Sequence, residues 1–477
     1  MLAVMEIPVW AVVIGGALAG VAVLDRILVP SVRWYLRRRF LNAIDRLNAR
    51  LQLKIQPFKL MRRRDMIDRL THDPQVMEAV VAYSEAERIP LYMAMQRAEQ
   101  YAREIVPAFS AFAYFSFATR MAKWLSHLVY DVRLGAYDDA ALAGIDPEAT
   151  VIFVMNHRSN MDYVVVTHLV ADRSALSYAV GEWARVWPLQ GLIRAMGAYF
   201  IRRRGNHGLY RRVLARYVQM ATEGGVTQAV FPEGGLTLDG RLRPPKLGLL
   251  SYIVAGYRPG QSRDVVFVPV ALNYDRVLED RVLSETAASG RRRFHFRMRR
   301  FLRFILHQSR LRMTHRFHRG RASVGFGQPL ALSDYAGREG TGDAAVARLG
   351  AELMHRIGVV MPVLPVPLVA AILTRADAPL VQEEITARAH ELLTRMRAAG
   401  AEVQIDHGAE AEAVTAGLKL MGLRHLVTEL DGRFSANAKE AAMLAYYANS
   451  IAHLMPDAGA PPVGNLSKTG DQKTTET

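Results

Sequence analysis

Val151-Ile152-Phe153-Val154-Met155 runs directly into Asn156-His157-Arg158-Ser159-Asn160-Met161-Asp162. The apolar run, β-branched and aromatic, reads as a buried strand, and the polar stretch as the loop at its exit. Farther along, the strand-like stretch Gln228–Phe231 is followed in the same way by Pro232-Glu233-Gly234-Gly235. Polar constellations at the exits of buried strands are where an α/β protein carries its chemistry. The pair is the reason to read this chain as an α/β enzyme.

Outward from that centre, residues 131–335 alternate short apolar runs with helical stretches. The runs are Val151–Met155, Ala198–Ile201, Gln228–Phe231 and Val265–Leu272, and Gly208–Glu223 is one of the helical stretches. That alternation predicts an α/β core with a largely buried sheet. Residues 41–130 read as a helical N-terminal region: Asp65–Leu70 leads to a break at Asp73-Pro74, and Val76–Arg88 and Leu91–Ile105 form two more amphipathic helices. Residues 336–455 form a helical C-terminal region containing the proline-punctuated apolar segment Pro362–Leu373, which is too short to span a bilayer. The tail 456–477, rich in Pro, Gly, Ser and Thr, is expected to be disordered. The 477 residues suffice for two or three domains and a sizeable core.

Residues 1–40 predict a membrane anchor with a basic flank. Ile7–Leu24 carries no charge, and as a helix it would rise roughly 27 Å, close to the thickness of a thin hydrocarbon layer. Trp10 on one side and Arg33, Trp34, Arg37, Arg38 and Arg39 on the other are placed as interfacial anchors. The basic side follows the helix, so the positive-inside rule puts the catalytic body in the cytoplasm, held by a single helix in the inner membrane. The competing readings are a helix lying in the interface and a cleaved export signal ending at Ala17-Leu18-Ala19. Glu6, with no Lys or Arg before the apolar run, is the wrong start for an export signal.

The formal net charge is +16, from 61 Lys and Arg against 45 Asp and Glu. Such an excess implies anionic partners: lipid head groups, phosphorylated substrates, an acidic carrier protein or nucleic acid. With no cysteine in the chain, disulfides, thiolate metal sites and a cysteine nucleophile are excluded. Arg291–Arg321 holds twelve arginines and no acid, with Phe294, Met298, Phe301, Leu302 and Ile305 at helical spacing. It reads as a basic amphipathic helix for anionic lipid or an acidic acyl carrier protein. No nucleic-acid module accompanies the arginines, so nucleic acid is not an expected partner.

On an unbroken helix, residues five apart are rotated by about 140° and face apart. His157 and Asp162 therefore meet only if His157 sits on a strand-to-helix turn and Asp162 in the first helical turn, with Ser159 or Asn160 as the cap. A carboxylate held against one imidazole nitrogen fixes the tautomer and stabilises the imidazolium formed when the other nitrogen takes a proton. There is no Gly-x-Ser-x-Gly elbow to supply a covalent intermediate. The pair thus fits direct transfer, in which His157 activates an acceptor hydroxyl and backbone N–H groups of a glycine-rich turn meet the oxyanion. Gly234 and Gly235 let backbone approach a ligand closely, and Arg241, Arg243 and Lys246 offer cations for a phosphate. Gly197–Arg204 similarly delivers Arg202 and Arg203 at the end of a strand.

Taken in order, these stretches resemble the four motif blocks of the glycerolipid acyltransferases. The resemblance is strongest to the branch of glycerol-3-phosphate and dihydroxyacetone-phosphate acyltransferases. The blocks are the His-x4-Asp motif at Asn156–Asp162, Gly197–Arg203, Phe231–Gly235 extending to Lys246-Leu247-Gly248, and Val268–Arg276. Leu444–Ile451 is similar to a terminal motif of the large bacterial glycerol-3-phosphate enzymes. The resemblance implies a mixed sheet flanked by helices, with His157 as general base and Asp162 as its orienting partner. It also implies a glycerol-phosphate pocket shaped by Arg202 or Arg203, Glu233, Gly234, Gly235, Arg241 and Lys246. The acyl donor would be a thioester of coenzyme A or acyl carrier protein, with no metal and no other cofactor, and the acceptor glycerol 3-phosphate. The alternatives are 1-acyl-glycerol 3-phosphate or dihydroxyacetone phosphate as acceptor, or a non-catalytic lipid-binding scaffold. One departure bears on the acceptor: the family continues its glycine block with Arg-Ser, whereas this chain reads Leu236-Thr237-Leu238-Asp239. Arg241 and Arg243 are the candidates to replace that arginine.

Overall fold

Alternate residues of the strand at Thr150–Met155 face opposite sides, and both sides are apolar, so this strand requires a layer of helices above and below it. The computed structural model has that arrangement. It describes residues 53–170, 175–181, 189–202, 208–289, 320–401 and 403–455, with isolated positions before 53. The anchor expected at Ile7–Leu24, Arg203, most of the basic segment from Arg291 and the tail 456–477 lie outside the described residues. Among the described residues, no helix is long and apolar enough to cross a membrane.

The N-terminal helices are α1 (Arg63–Thr71), α2 (Pro74–Glu87) and α3 (Leu91–Ile105). Asp73 caps α2 by accepting from the Gln75 amide, and Pro74 occupies the first turn, where its missing N–H costs nothing. A π-helical turn at Ala113–Ala118 leads into α4 (Thr119–Val129). The core then comprises β1 (Tyr130–Leu134), β2 (Thr150–Met155), α5 (Asp162–Val170), β3 (Ser177–Gly181), β4 (Tyr199–Ile201), α6 (Gly208–Glu223), β5 (Gln228–Val230), α7 (Gly248–Ala255), β6 (Val265–Tyr274), α8 (Asp280–Ser289), β7 (Gly320–Phe326) and β8 (Leu330–Ala331).

The main sheet has the order β1-β7-β6-β2-β5-β3-β4, with β8 also paired to β6. It is mixed: β2 is parallel to both neighbours, β5 and β6, while β6 meets β7 and β8 antiparallel. Val151, Phe153 and Met155 of β2 face one apolar cluster with α4 and α5, and Ile152 and Val154 face another with α1–α3, α6 and α7. The protein is therefore a mixed α/β fold with a central sheet flanked by helices.

The C-terminal stretch adds α9 (Asp343–Val359), α10 (Pro365–Leu373), α11 (Gln382–Ala398), α12 (Glu410–Gly422) and α13 (Ala441–Asn449). It is not purely helical. Strands β9 (Leu380–Val381), β10 (Val427–Leu430) and β11 (Arg433–Ala436) form a second, three-stranded antiparallel sheet. These strands are short and largely exposed, so they lack the apolar alternation that marks a strand in sequence. All nine residues of α10 are buried, as an all-apolar helix must be inside a protein. At the end of the arginine-rich segment the structure departs from the expected helix: Gly320 and Arg321 begin β7, of whose residues all but Arg321 are buried. Strands β1 and β3 also escape the sequence reading, because Asp131 and Arg133 interrupt the first and Ser177 and Gly181 flank the second.

Candidate active site

Because β5, β2 and β6 are adjacent and parallel, their C-terminal ends open on one edge of the sheet. Asn156–Asp162 leaves β2, Phe231–Gly235 leaves β5 and Asp275–Glu279 leaves β6. The Asn156 side chain pairs with the backbone of Leu272, accepting from its N–H at 2.7 Å and donating to its carbonyl at 3.0 Å. A side-chain amide thus continues the β2–β6 ladder after the β2 backbone has turned away, and fixes where the turn begins.

On that turn, His157 Nδ1 lies 2.9 Å from Asp162 Oδ2, with side-chain exposures of 3% and 0%. The same carboxylate oxygen accepts from the Arg158 and Ser159 amides at 2.8 and 3.1 Å, while Oδ1 accepts from the Tyr274 hydroxyl at 2.6 Å. Burial and the neighbouring Asp162 charge push the Tyr274 phenol well above its ordinary range, so it stays protonated and donates. Ser159, one of the two expected caps, closes the turn just before the helix: its carbonyl accepts from the Asp162 amide and its hydroxyl from the Met161 amide, while the first full helical bond runs from Val165 to the Met161 carbonyl. Asn160 binds Glu279 instead, through its side chain at 2.9 Å and its amide at 3.2 Å, and the Ser159 hydroxyl donates to the same carboxylate at 2.8 Å. With Nδ1 committed to Asp162, Nε2 is the nitrogen that can take a proton. The imidazole stacks on Phe231 with ring centroids 4.1 Å apart and meets the edge of Tyr163.

Phe231-Pro232-Glu233-Gly234 is a tight turn closed by the Gly234 amide on the Phe231 carbonyl, with Gly234 at φ +67°. A Cβ at Gly234 would fall 2.6 Å from Lys246 Cδ, so the lysine stem lies directly over this glycine. Glu233 is 1% exposed, and its Oε1 accepts from the His157 amide at 3.0 Å. Burial raises its carboxyl to about 7, a shift opposed by that hydrogen bond and by the charges of Arg158 and Arg243. The Thr237 amide returns to the His157 carbonyl at 3.0 Å, so the glycine loop grips the histidine backbone on both sides of its Cα. Asp239 is turned into its own loop, accepting from the Thr237 hydroxyl and the Arg241 amide.

Of the residues singled out in the sequence, the structure gathers His157, Asp162, Glu233, Gly234, Gly235 and Lys246, with Arg241 on the same loop. Arg202 sits apart, directly after the edge strand β4. It is ion-paired with Glu104 of α3 at 2.8 Å and covers the rings of Tyr101 and Tyr210. A separate cavity of about 230 Å³ lies toward the start of β2, lined by Tyr137, Leu142, Val151, Phe153, Leu169 and Val170 among others. Its apolar lining suits a hydrocarbon and not a phosphate.

Sequence reasoning missed four supports of the site: Asn156, Arg158, Tyr274 and Glu279. The Arg158 guanidinium is 1% exposed and donates to the carbonyls of Leu272, Gly240 and Ser450. Asn156 and Arg158 stand inside the His-x4-Asp block, which is the one signal that could have marked them. Tyr274 likewise stands inside the Val268–Arg276 block, whereas Glu279 lies beyond every block and comes near only through the parallel pairing of β2 with β6.

Residues 140–273 match a family model described as Acyltransferase, and residues 309–459 match one described as Glycerol-3-phosphate acyltransferase C-terminal region. A glycerol-3-phosphate acyltransferase of Ectopseudomonas mendocina is 27% identical over 417 residues, covering 82% of this chain and 49% of the relative. One of Aeromonas hydrophila is 28% identical over 431 residues, covering 85% of this chain and 52% of the relative. The chain thus spans about half the length of these relatives. A solved 1-acyl-sn-glycerophosphate acyltransferase from Thermotoga maritima aligns with 51% of this chain and 76% of its own, at 18% identity and a TM-score of 0.31. With both models matched in order, and the His-x4-Asp motif inside the first, the chain belongs to the glycerolipid acyltransferase family, on its glycerol-3-phosphate acyltransferase branch.

Proposed function

We propose that the protein transfers a fatty acyl group from an acyl thioester to a hydroxyl of glycerol 3-phosphate, an early step of phospholipid synthesis. The observation that carries this reading is the buried His157–Asp162 pair, whose remaining nitrogen can serve as general base. His157 Nε2 takes the proton of the acceptor hydroxyl as its oxygen attacks the thioester carbonyl. The tetrahedral intermediate collapses with cleavage of the C–S bond, and the leaving thiolate takes the proton back from His157. Oxyanion donors come from the glycine turn. The Gly234 and Thr237 amides are already spent on Phe231 and His157 carbonyls, which leaves those of Gly235 and Leu236.

Lys246 beside Gly234, with Arg241 and Arg243, supplies the cations for the acceptor phosphate. Arg243 is the better replacement for the family's missing arginine, since its charge is felt at Glu233. Arg202 and Arg203 belong to the same family pattern, and Arg202 serves the pocket only if its Glu104 pair opens. The apolar cavity beside β2 and α5 is the proposed place for the acyl tail. The donor is a thioester of coenzyme A or acyl carrier protein, and no metal or further cofactor takes part.

The protein is proposed to act at the inner membrane, with Ile7–Leu24 as its anchor and the catalytic body on the cytoplasmic side. An exposed aromatic face supports the membrane reading. Phe112, Phe117 and Trp124 are 76%, 52% and 49% exposed, and the π-turn aligns residues five apart while two α-turns align residues seven apart. Arg120 and Lys123 are exposed beside them, the composition of a surface that meets anionic lipid.

The test is acyl transfer by detergent-solubilised protein, offered acyl-coenzyme A and acyl carrier protein thioesters with each phosphorylated acceptor in parallel. Transfer to glycerol 3-phosphate, lost in His157→Ala while vesicle binding persists, is the expected result. Turnover that survives His157→Ala overturns the mechanism, and no transfer to any acceptor leaves the lipid-binding scaffold.

A further inference from the structure

The terminal motif Leu444–Ile451 lies almost 300 residues from His157 in sequence, yet it touches the catalytic turn and the glycine loop. The Asn449 side-chain amide donates to the Asp239 carbonyl at 2.9 Å. Arg158, the residue after His157, donates to the Gly240 carbonyl at 2.7 Å and the Ser450 carbonyl at 3.1 Å, bridging loop and motif. The Tyr446 carbonyl presses on Gly240, where a Cβ would fall 1.9 Å from it. The Tyr447 hydroxyl accepts from the Val277 amide at 3.0 Å and from Arg424 at 2.8 Å, and donates to Asp280. One five-residue segment thus holds all three loops that leave β2, β5 and β6.

We infer that Tyr446–Ser450 is a positioning element of the active site, which fixes the Asp239–Gly240 loop against His157 and thereby sets affinity for the phosphorylated acceptor. The loop it holds continues into Arg241, Arg243 and Lys246, the cations assigned to that acceptor, so the inference rests on the proposed function. The contacts have the chemistry of a fixed clamp. Arg158 is a buried cation satisfied by backbone carbonyls, and shifting any of them leaves a buried donor unpaired, which is costly. Asn449 is the member that can be altered with least harm to the fold, because it is only partly buried and its contact lies at the surface.

The experiment compares the full chain with Asn449→Ala and with Asn449→Asp, which keeps the side-chain size but loses the donor. Hydrogen exchange measured by mass spectrometry reads the loop without any substrate, and steady-state kinetics read its consequence. In both variants, amides of residues 236–246 are expected to exchange faster while those of β2 and α5 are unchanged. The acceptor KM should rise about tenfold with the acyl-donor KM and kcat unchanged, the pattern of lost ground-state binding. A merely structural role would instead remove folded enzyme, lowering Vmax and leaving both KM values alone. Wild-type exchange in residues 236–246 overturns the inference, and so does faster exchange with an unaltered acceptor KM. If the wild type acylates no phosphorylated acceptor, the proposed function and the role in acceptor affinity both fall; the exchange arm then still decides whether the motif holds the loop.

Discussion

The backbone N–H of His157 donates to Glu233 Oε1 across 3.0 Å, joining the loop after β2 to the turn after β5. The histidine is therefore oriented twice, by Asp162 on its ring and by Glu233 on its main chain. Glu233→Ala should lower kcat about 10–100-fold by letting the catalytic turn drift. Glu233→Gln keeps an acceptor oxygen and should stay within a few-fold of wild type. Steady-state kinetics on the two variants separate positioning from any need for a carboxylate.

The same residue makes stability depend on pH. Unfolded, Glu233 titrates near 4.5, and burial raises it to about 7 in the folded protein. Between those values the folded state holds the extra proton, so this group's contribution to stability falls as pH rises through the window. Glu233→Gln removes that loss. Its unfolding midpoint relative to wild type should increase from pH 4.5 to 7 and then level off, as followed by thermal melts. A constant difference across the window would exclude a raised carboxyl.

Asp162 accepts four hydrogen bonds, which makes it more than a partner for the imidazole. Asp162→Asn should reduce kcat by roughly 10³–10⁴, because an amide neither holds the tautomer nor balances the imidazolium. Tyr274→Phe removes one donor and should cost about 1 kcal/mol of stability, with a smaller loss of kcat. Denaturant unfolding and single-turnover rates measure the two effects.

Gly240 has φ +84°, and an added Cβ would lie 1.9 Å from the Tyr446 carbonyl. Gly240→Ala combines backbone strain with a clash and should destabilise by about 3 kcal/mol. Gly260 at φ +70° has nothing within 4 Å of its would-be Cβ. Gly260→Ala should therefore cost only the conformational penalty, about 1 kcal/mol. Urea unfolding of the pair isolates the contact with the terminal motif.

Narrowing the apolar cavity tests whether it holds the acyl tail. Leu142 lines it and is only partly buried. Leu142→Trp should lower kcat/KM for long-chain thioesters by about tenfold relative to short-chain ones, since one or two displaced methylenes are worth 1–3 kcal/mol. Equal loss on both chain lengths would place the tail elsewhere.

By itself, the sequence determined the local features. Apolar runs marked β2, β5 and β6, the Asp73-Pro74 break located the start of α2, and five-residue spacing demanded a turn between His157 and Asp162. These follow from backbone periodicity and capping, which act over a few residues. Strands β1, β3 and β7 stayed hidden because pairing, and not their own patterning, stabilises them. Only the tertiary structure decided that Tyr274 would hold Asp162, that Glu233 would hold His157 and that Arg158 would meet Ser450. Those contacts join residues 76 to 292 apart. They arise because parallel pairing sends the ends of β5, β2 and β6 to the same edge of the sheet, and no local spacing encodes that strand order.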